Sequence, residues 1–182
     1  MNVPNTLTVL RIILVPIIII FLIQGQYLSA LLLFVIAGIT DGLDGFFARV
    51  LKQKSVLGSY LDPLADKTLI SSSFIALAVM GGIPAWLTVI VISRDFIILL
   101  GISVLALLSI PFEVKPTMVS KITTAFQLLA IFLVLLLSAF HFQVNGTWIT
   151  AVFWITALLT IVSGMGYLIR GIRYINSESS RA

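Results

Sequence analysis

Six apolar stretches dominate the chain, at about residues 6–23, 27–50, 57–80, 84–109, 116–140 and 147–175. Each holds the ~20 residues that an α-helix needs to cross a hydrocarbon core of ~30 Å. Residues 17–23 and 30–36 are apolar at odd and even positions alike, so the alternation of a membrane β-barrel is absent. The breaks carry turn chemistry: Gln24-Gly25-Gln26, Gly81-Gly82-Ile83-Pro84, Ile110-Pro111 and Asn145-Gly146. Of 182 residues, 60% are apolar and 10% charged, against roughly 25% charged in a soluble domain. A soluble monomer of this size leaves ~30% of its unfolded-chain surface exposed, more than so apolar a chain can keep in water. The mean hydropathy of +1.19 agrees. The expectation is an all-α integral membrane protein, a six-helix transmembrane bundle forming a single domain over 1–182. A short N-terminal interfacial helix segment opens it, and Asn5 or Thr6 can cap the helix that carries Thr8 and Arg11. The first apolar run contains Pro16 and lacks a small-residue cleavage pattern, so it reads as retained. Without cysteine there is neither a disulfide framework nor a thiolate metal site.

The cations orient the bundle. Residues 24–26, 81–83 and 141–146 contain no Lys, Arg, Asp or Glu, whereas the opposite side carries Arg49, Lys52, Lys54, Lys115, Arg170, Arg173 and Arg181. By the positive-inside rule, both termini and the second and fourth connections face the cytoplasm. His141, Trp86, Trp148 and Trp154 read as interfacial residues on this map.

Four of the seven acidic residues, Asp41, Asp44, Asp62 and Asp66, fall within one 26-residue window inside the second and third apolar spans. A charge in a membrane helix costs a few kcal/mol even on lenient scales, and four like charges also repel. Such a cluster persists where something cationic occupies its centre. Asp41 and Asp44 are three apart and Asp62 and Asp66 four apart, so each pair shares a helix face. The short connection 51–56 makes the two helices antiparallel neighbours. Four carboxylates without Cys or His nearby suit a hard cation, Mg²⁺ or Mn²⁺ or else Ca²⁺, and not zinc. One carboxylate can stay free as a general base. Gly38, Gly42 and Gly45 accompany the acids. They read either as a close-packing stripe or as bare backbone against a flat ligand. Arg49 is a phosphate partner or an interfacial anchor.

The full pattern runs Asp41-Gly42-x-Asp44-Gly45-x2-Ala48-Arg49, then eight residues to Gly58, three to Asp62 and three to Asp66. It resembles, at all nine fixed positions, the signature of the CDP-alcohol phosphatidyltransferases. The entry Pro4-Asn5-x-Leu7-Thr8-x2-Arg11 is similar to that of the family's glycerophospholipid branch. The resemblance implies transfer of a phosphatidyl group from CDP-diacylglycerol to an alcohol, with release of CMP. It implies two Mg²⁺ or Mn²⁺ ions on the aspartates, Asp66 as the base that deprotonates the alcohol, and Gly42, Gly45, Arg49 and Gly58 along the nucleotide. It also implies a homodimer and no nucleic-acid partner.

The remaining buried charges bear on the acceptor. Arg94, Lys121, Lys67 and Arg11 are its candidate contacts, with Asp95 as a structural partner of Arg94. For Arg11 the alternative is snorkelling to the membrane surface. Thr124 and Gln127 continue from Lys121 at helical spacing. Phosphatidylglycerophosphate synthases show Ala-Arg-Glu in the fourth helix, a further Arg eight residues on, and a Gly-Lys-x-Lys-Thr run in the fifth. Here the text is Ser93-Arg94-Asp95, with Ile102 and Thr123 where two of those cations would stand. It is closer to the eukaryotic-type cardiolipin synthases, whose acceptor, phosphatidylglycerol, carries a single negative charge. Glycerol-3-phosphate is the second choice. From another class, the aspartates could line a divalent-cation channel or transporter, or staple a purely structural subunit. Against a channel, all four acids lie toward one side and no broken-helix repeat appears.

Overall fold

The computed structural model describes the backbone of residues 3–50, 56–107, 117–142, 144 and 146–179, and side chains within 10–40, 67–103, 117–144 and 146–171. Six α-helices follow in order: α1 (Val3–Ile23), α2 (Tyr27–Val50), α3 (Val56–Val79), α4 (Ala85–Leu107), α5 (Met118–Ala139) and α6 (Thr147–Ser179). Among the described residues there is no strand. At 1.5 Å per residue, α1 to α5 run about 32–36 Å and α6 about 50 Å. Met118–Ala139 and Thr147–Gly171 are each long and apolar enough to cross a membrane.

Two helix starts differ from the sequence expectation by two residues or more, each for a local reason, and α6 runs four residues past its expected end at 175. α1 begins at Val3 rather than at a cap on Asn5 or Thr6. Pro4 lies in its first turn, where a missing N–H removes no helical bond. α5 begins at Met118, two residues late. Thr117 caps it, its Oγ1 accepting a hydrogen bond from the Ser120 N–H at 3.1 Å. Pro16 lies inside α1 without ending it.

The chain divides into two compact units. One comprises Met1–Ala85 with Ile131–Gly146, the other Trp86–Ala130 with Thr147–Ala182. In the first, α1 packs against both α2 and α3. Leu14, Ile18 and Leu22 of α1, Ala30, Phe34 and Ala37 of α2, and Ile70, Phe74 and Leu77 of α3 are buried at helical spacing. In the second, polar side chains knit α5 to α6. Gln127 Nε2 donates to Thr160 Oγ1 at 3.2 Å, and Thr123 Oγ1 lies 3.0 Å from the Leu159 carbonyl oxygen. Trp86 and Trp154 meet with ring centroids 4.8 Å apart. Much of what remains exposed is large and apolar, as at Val79, Val89 and Leu158.

Three helices end in the same way. After α1, the Gln26 N–H donates to the Phe21 carbonyl and the Gly25 N–H to that of Leu22, both at 2.9 Å. After α3, Gly82 donates to Leu77 at 2.8 Å and Gly81 to Ala78 at 3.1 Å. After α5, Phe142 donates to Leu137 at 2.8 Å and His141 to Ser138 at 3.2 Å. This paired bonding is the Schellman cap, whose pivotal residue adopts the left-handed conformation. The pivots are Gly25 at φ 70°, Gly81 at φ 76° and His141 at φ 58°. His141 is exposed and occupies a position that glycine fills more cheaply. A non-glycine residue there costs about 1–2 kcal/mol. His141→Gly is therefore expected to raise stability by about 0.5–1 kcal/mol. Gly81→Ala should lower it by about 1–2 kcal/mol, since an added Cβ meets nothing within 4 Å and only the backbone is strained. Thermal unfolding in detergent reads both.

Candidate functional site

The signature lies on the last half of α2 and the first half of α3. The backbone is helical through residues 41–50 and 56–66. The three- and four-residue spacings therefore do place Asp41 with Asp44, and Asp62 with Asp66, on one face of a helix each. The side chains of these four, with those of Arg49 and the surroundings of Gly42, Gly45 and Gly58, lie outside the described residues. Four carboxylates on consecutive helices, with no thiol in the chain, are a donor set that fits a hard divalent cation. Gly38 is exposed, and a Cβ there would meet nothing within 4 Å. Among the described residues, the glycine row is therefore not packed against another helix at Gly38.

Arg11 is fully buried on α1, at 0% exposure. It does not snorkel to a surface. Lys67, just past Asp66, is half-buried. Further along α3, the Ser73 hydroxyl is buried without a hydrogen-bond partner among the described residues.

In the second unit the structure surrounds the terminal nitrogens of Arg94 with partners. Its Nη1 donates to Asp95 Oδ1 at 2.6 Å. Its Nη2 donates to Ser120 Oγ of α5 at 2.6 Å and to Ser163 Oγ of α6 at 3.0 Å. The guanidinium lies 5.9 Å from the ring centroid of Tyr167, which Arg170 approaches at 5.7 Å. Gly164 lets the arginine stem pass, for a Cβ there would come 3.4 Å from Arg94 Cγ. Asp95 is thus the partner the sequence suggested. Ser120, Ser163 and Tyr167 were missed, because partners 26 to 73 residues away leave no trace in local spacing. Arg94 Nε is buried and makes no hydrogen bond among the described residues.

Lys121 follows Ser120 in the first turn of α5 and is exposed. Beyond it, both polar side chains of the stripe have partners within the protein. Thr124 donates to the Ser120 carbonyl at 3.1 Å, and Gln127 is turned to Thr160. Thr123, the position at which the sequence comparison looked for a second cation, is fully buried. Its hydroxyl lies 2.8 Å from the Val119 carbonyl oxygen.

Comparison with known proteins gives this geometry its chemical context. A family model described as CDP-alcohol phosphatidyltransferase matches residues 1–162, a span that includes helices of both units. The CDP-diacylglycerol–glycerol-3-phosphate 3-phosphatidyltransferase of Bacillus subtilis is 34% identical over 181 residues, covering 91% of this chain and 93% of that protein. Its namesake in Aquifex aeolicus is 32% identical over 183 residues, covering 98% of this chain and all of that protein. The CMP-forming cardiolipin synthase of Rattus norvegicus is 35% identical over 182 residues, covering 91% of this chain but 60% of the rat protein. With the signature on α2 and α3 and a match over most of its length, the chain belongs to the CDP-alcohol phosphatidyltransferase family and is an enzyme of phospholipid synthesis.

Proposed function

We propose that the protein is a six-crossing membrane enzyme with its site facing the cytoplasm. It transfers the phosphatidyl group of CDP-diacylglycerol to the hydroxyl of a glycerol-based acceptor and releases CMP. The observation that carries this reading is the nine-residue signature from Asp41 to Asp66 on two consecutive helices. Two helices able to cross a membrane, in a lipid-synthesising family, support the membrane placement. The chain works as one catalytic domain and as a homodimer.

Asp41, Asp44 and Asp62 are the ligands of two divalent ions, Mg²⁺ or Mn²⁺, with Asp66 able to complete the shell. When bound, such ions neutralise the charge that grows on the departing CMP phosphate and polarise the attacked phosphorus. Asp66 takes the proton from the acceptor hydroxyl onto a carboxylate oxygen. The hydroxyl oxygen then forms a bond to the phosphatidyl phosphorus as the phosphorus–oxygen bond to CMP breaks. Gly42, Gly45 and Gly58 give the cytidine and its phosphate room beside bare backbone, and Arg49 pairs with the phosphate. Lys121 and Lys67 meet the acceptor, while Arg94 contributes through the helix end it holds.

Phosphatidylglycerol is the preferred acceptor. Thr123, buried between α5 and α6, offers no second cation for a dianionic phosphate. Glycerol-3-phosphate is the second reading, supported by the names of the Bacillus and Aquifex relatives. The test is purified protein with CDP-diacylglycerol, Mg²⁺ or Mn²⁺ and each acceptor in turn, scored by lipid product and CMP. Cardiolipin formed from phosphatidylglycerol, and lost on chelation, is expected. Phosphatidylglycerophosphate as the sole product selects the second reading. CMP release that survives exhaustive chelation overturns the metal assignment.

A further inference from the structure

We propose that Arg11 is the resident counter-charge of the aspartate-bearing helices, a positioning residue that offsets the acidic groups of α2 and α3 from the side of α1. The idea rests on the reading of the aspartates given above, and deepens it.

Three observations lead there. First, Arg11 is fully buried, and it is the largest side chain of the described residues to be so. With Leu14, Ile18 and Leu22 it forms one stripe along α1, and α1 packs against α2 and α3, the two helices that carry the signature. A guanidinium withdrawn from solvent needs anionic or strongly polar company. Second, acids in this compact unit occur at positions 41, 44, 62 and 66 and nowhere else. Asp95, Glu113 and Glu178 belong to the other unit, where Asp95 is already held by Arg94.

Third, the depth matches. Connections of three and five residues separate α1 from α2 and α2 from α3, so α1 and α3 run in the same direction. Arg11 lies 12 residues before the capped end of α1 at Ile23, and Asp66 lies 13 before that of α3 at Val79. At 1.5 Å per residue these are about 18 and 20 Å from the helix ends. The fixed cation is therefore placed at the level of Asp66, with Asp62 one helical turn further along α3. Without such a charge, four carboxylates would repel whenever no metal is bound. With it, the cost of the empty site falls.

Thermal midpoints of the purified full-length protein in EDTA test the proposal without any turnover. Arg11→Met keeps the length of the stem and removes the charge. It is expected to lower Tm, and Arg11→Lys to lower it less. Combining Arg11→Met with Asp66→Asn or Asp62→Asn should give a smaller loss than the sum of the single changes, because fewer carboxylates remain to be offset. A companion titration with Mn²⁺ should find Arg11→Met binding the ion roughly five-fold more tightly than wild type, since a competing cation is gone. Additive losses, or an Arg11→Met protein as stable as wild type, overturn the proposal and leave Arg11 as packing. A selective rise in acceptor KM with unchanged metal affinity makes it an acceptor contact instead. If Mn²⁺ shifts the midpoint of neither wild type nor variants, the metal reading fails, while the double variants in EDTA still decide the role of Arg11.

Discussion

Replacing Asp66 with asparagine is expected to lower kcat by about 10²- to 10⁴-fold, the usual contribution of a positioned base. The amide keeps the size of the carboxylate but cannot accept the hydroxyl proton. Because Asp66 lies four residues beyond Asp62 on the same helix, its loss should leave three carboxylates to bind metal and CDP-diacylglycerol. Binding measured by thermal shift should thus survive while CMP release stops. Lost binding with retained turnover would reverse the division of labour between ligand and base. Asp41→Asn gives the needed contrast, weakening metal binding first.

The second large effect falls on stability. Arg94→Ala removes one partner of a buried ion pair whose side chains are 8% and 10% exposed. It also strips Ser120 and Ser163 of their donor. Breaking a buried pair from one side typically costs 3–5 kcal/mol, and a loss of about that size is expected in detergent unfolding. Lys121→Ala, at an exposed position, should leave stability nearly unchanged and raise acceptor KM. An Arg94→Ala protein of native stability with only a raised acceptor KM would return its guanidinium to the acceptor site.

How much of this could be read without coordinates depended on the range of each interaction. α2 runs over Tyr27–Val50, the limits its apolar run suggested, because helix length and period are local properties. The aspartate spacing was legible for the same reason. Pro4 and Thr117 shifted two helix starts, and both are cap effects that hydrophobicity alone does not register. Arg11 could be read as buried or as reaching for solvent, since the sequence does not say which face of α1 meets its neighbours. Nor could it join Arg94 to Tyr167, 73 residues away on another helix. His141 was not legible as a helix pivot, because glycine or asparagine normally announces that conformation.

The shared cap after α1, α3 and α5 has a bearing on biogenesis. Each of these turns has carbonyls already bonded by its own N–H groups, and residues 24–26, 81–83 and 141–146 contain no Lys, Arg, Asp or Glu. A capped turn of this kind has little to dehydrate on its way through a lipid bilayer. In the proposed six-crossing topology, such turns lead the insertion, and the helix ends that carry the proposed catalytic groups stay on the side where they were made.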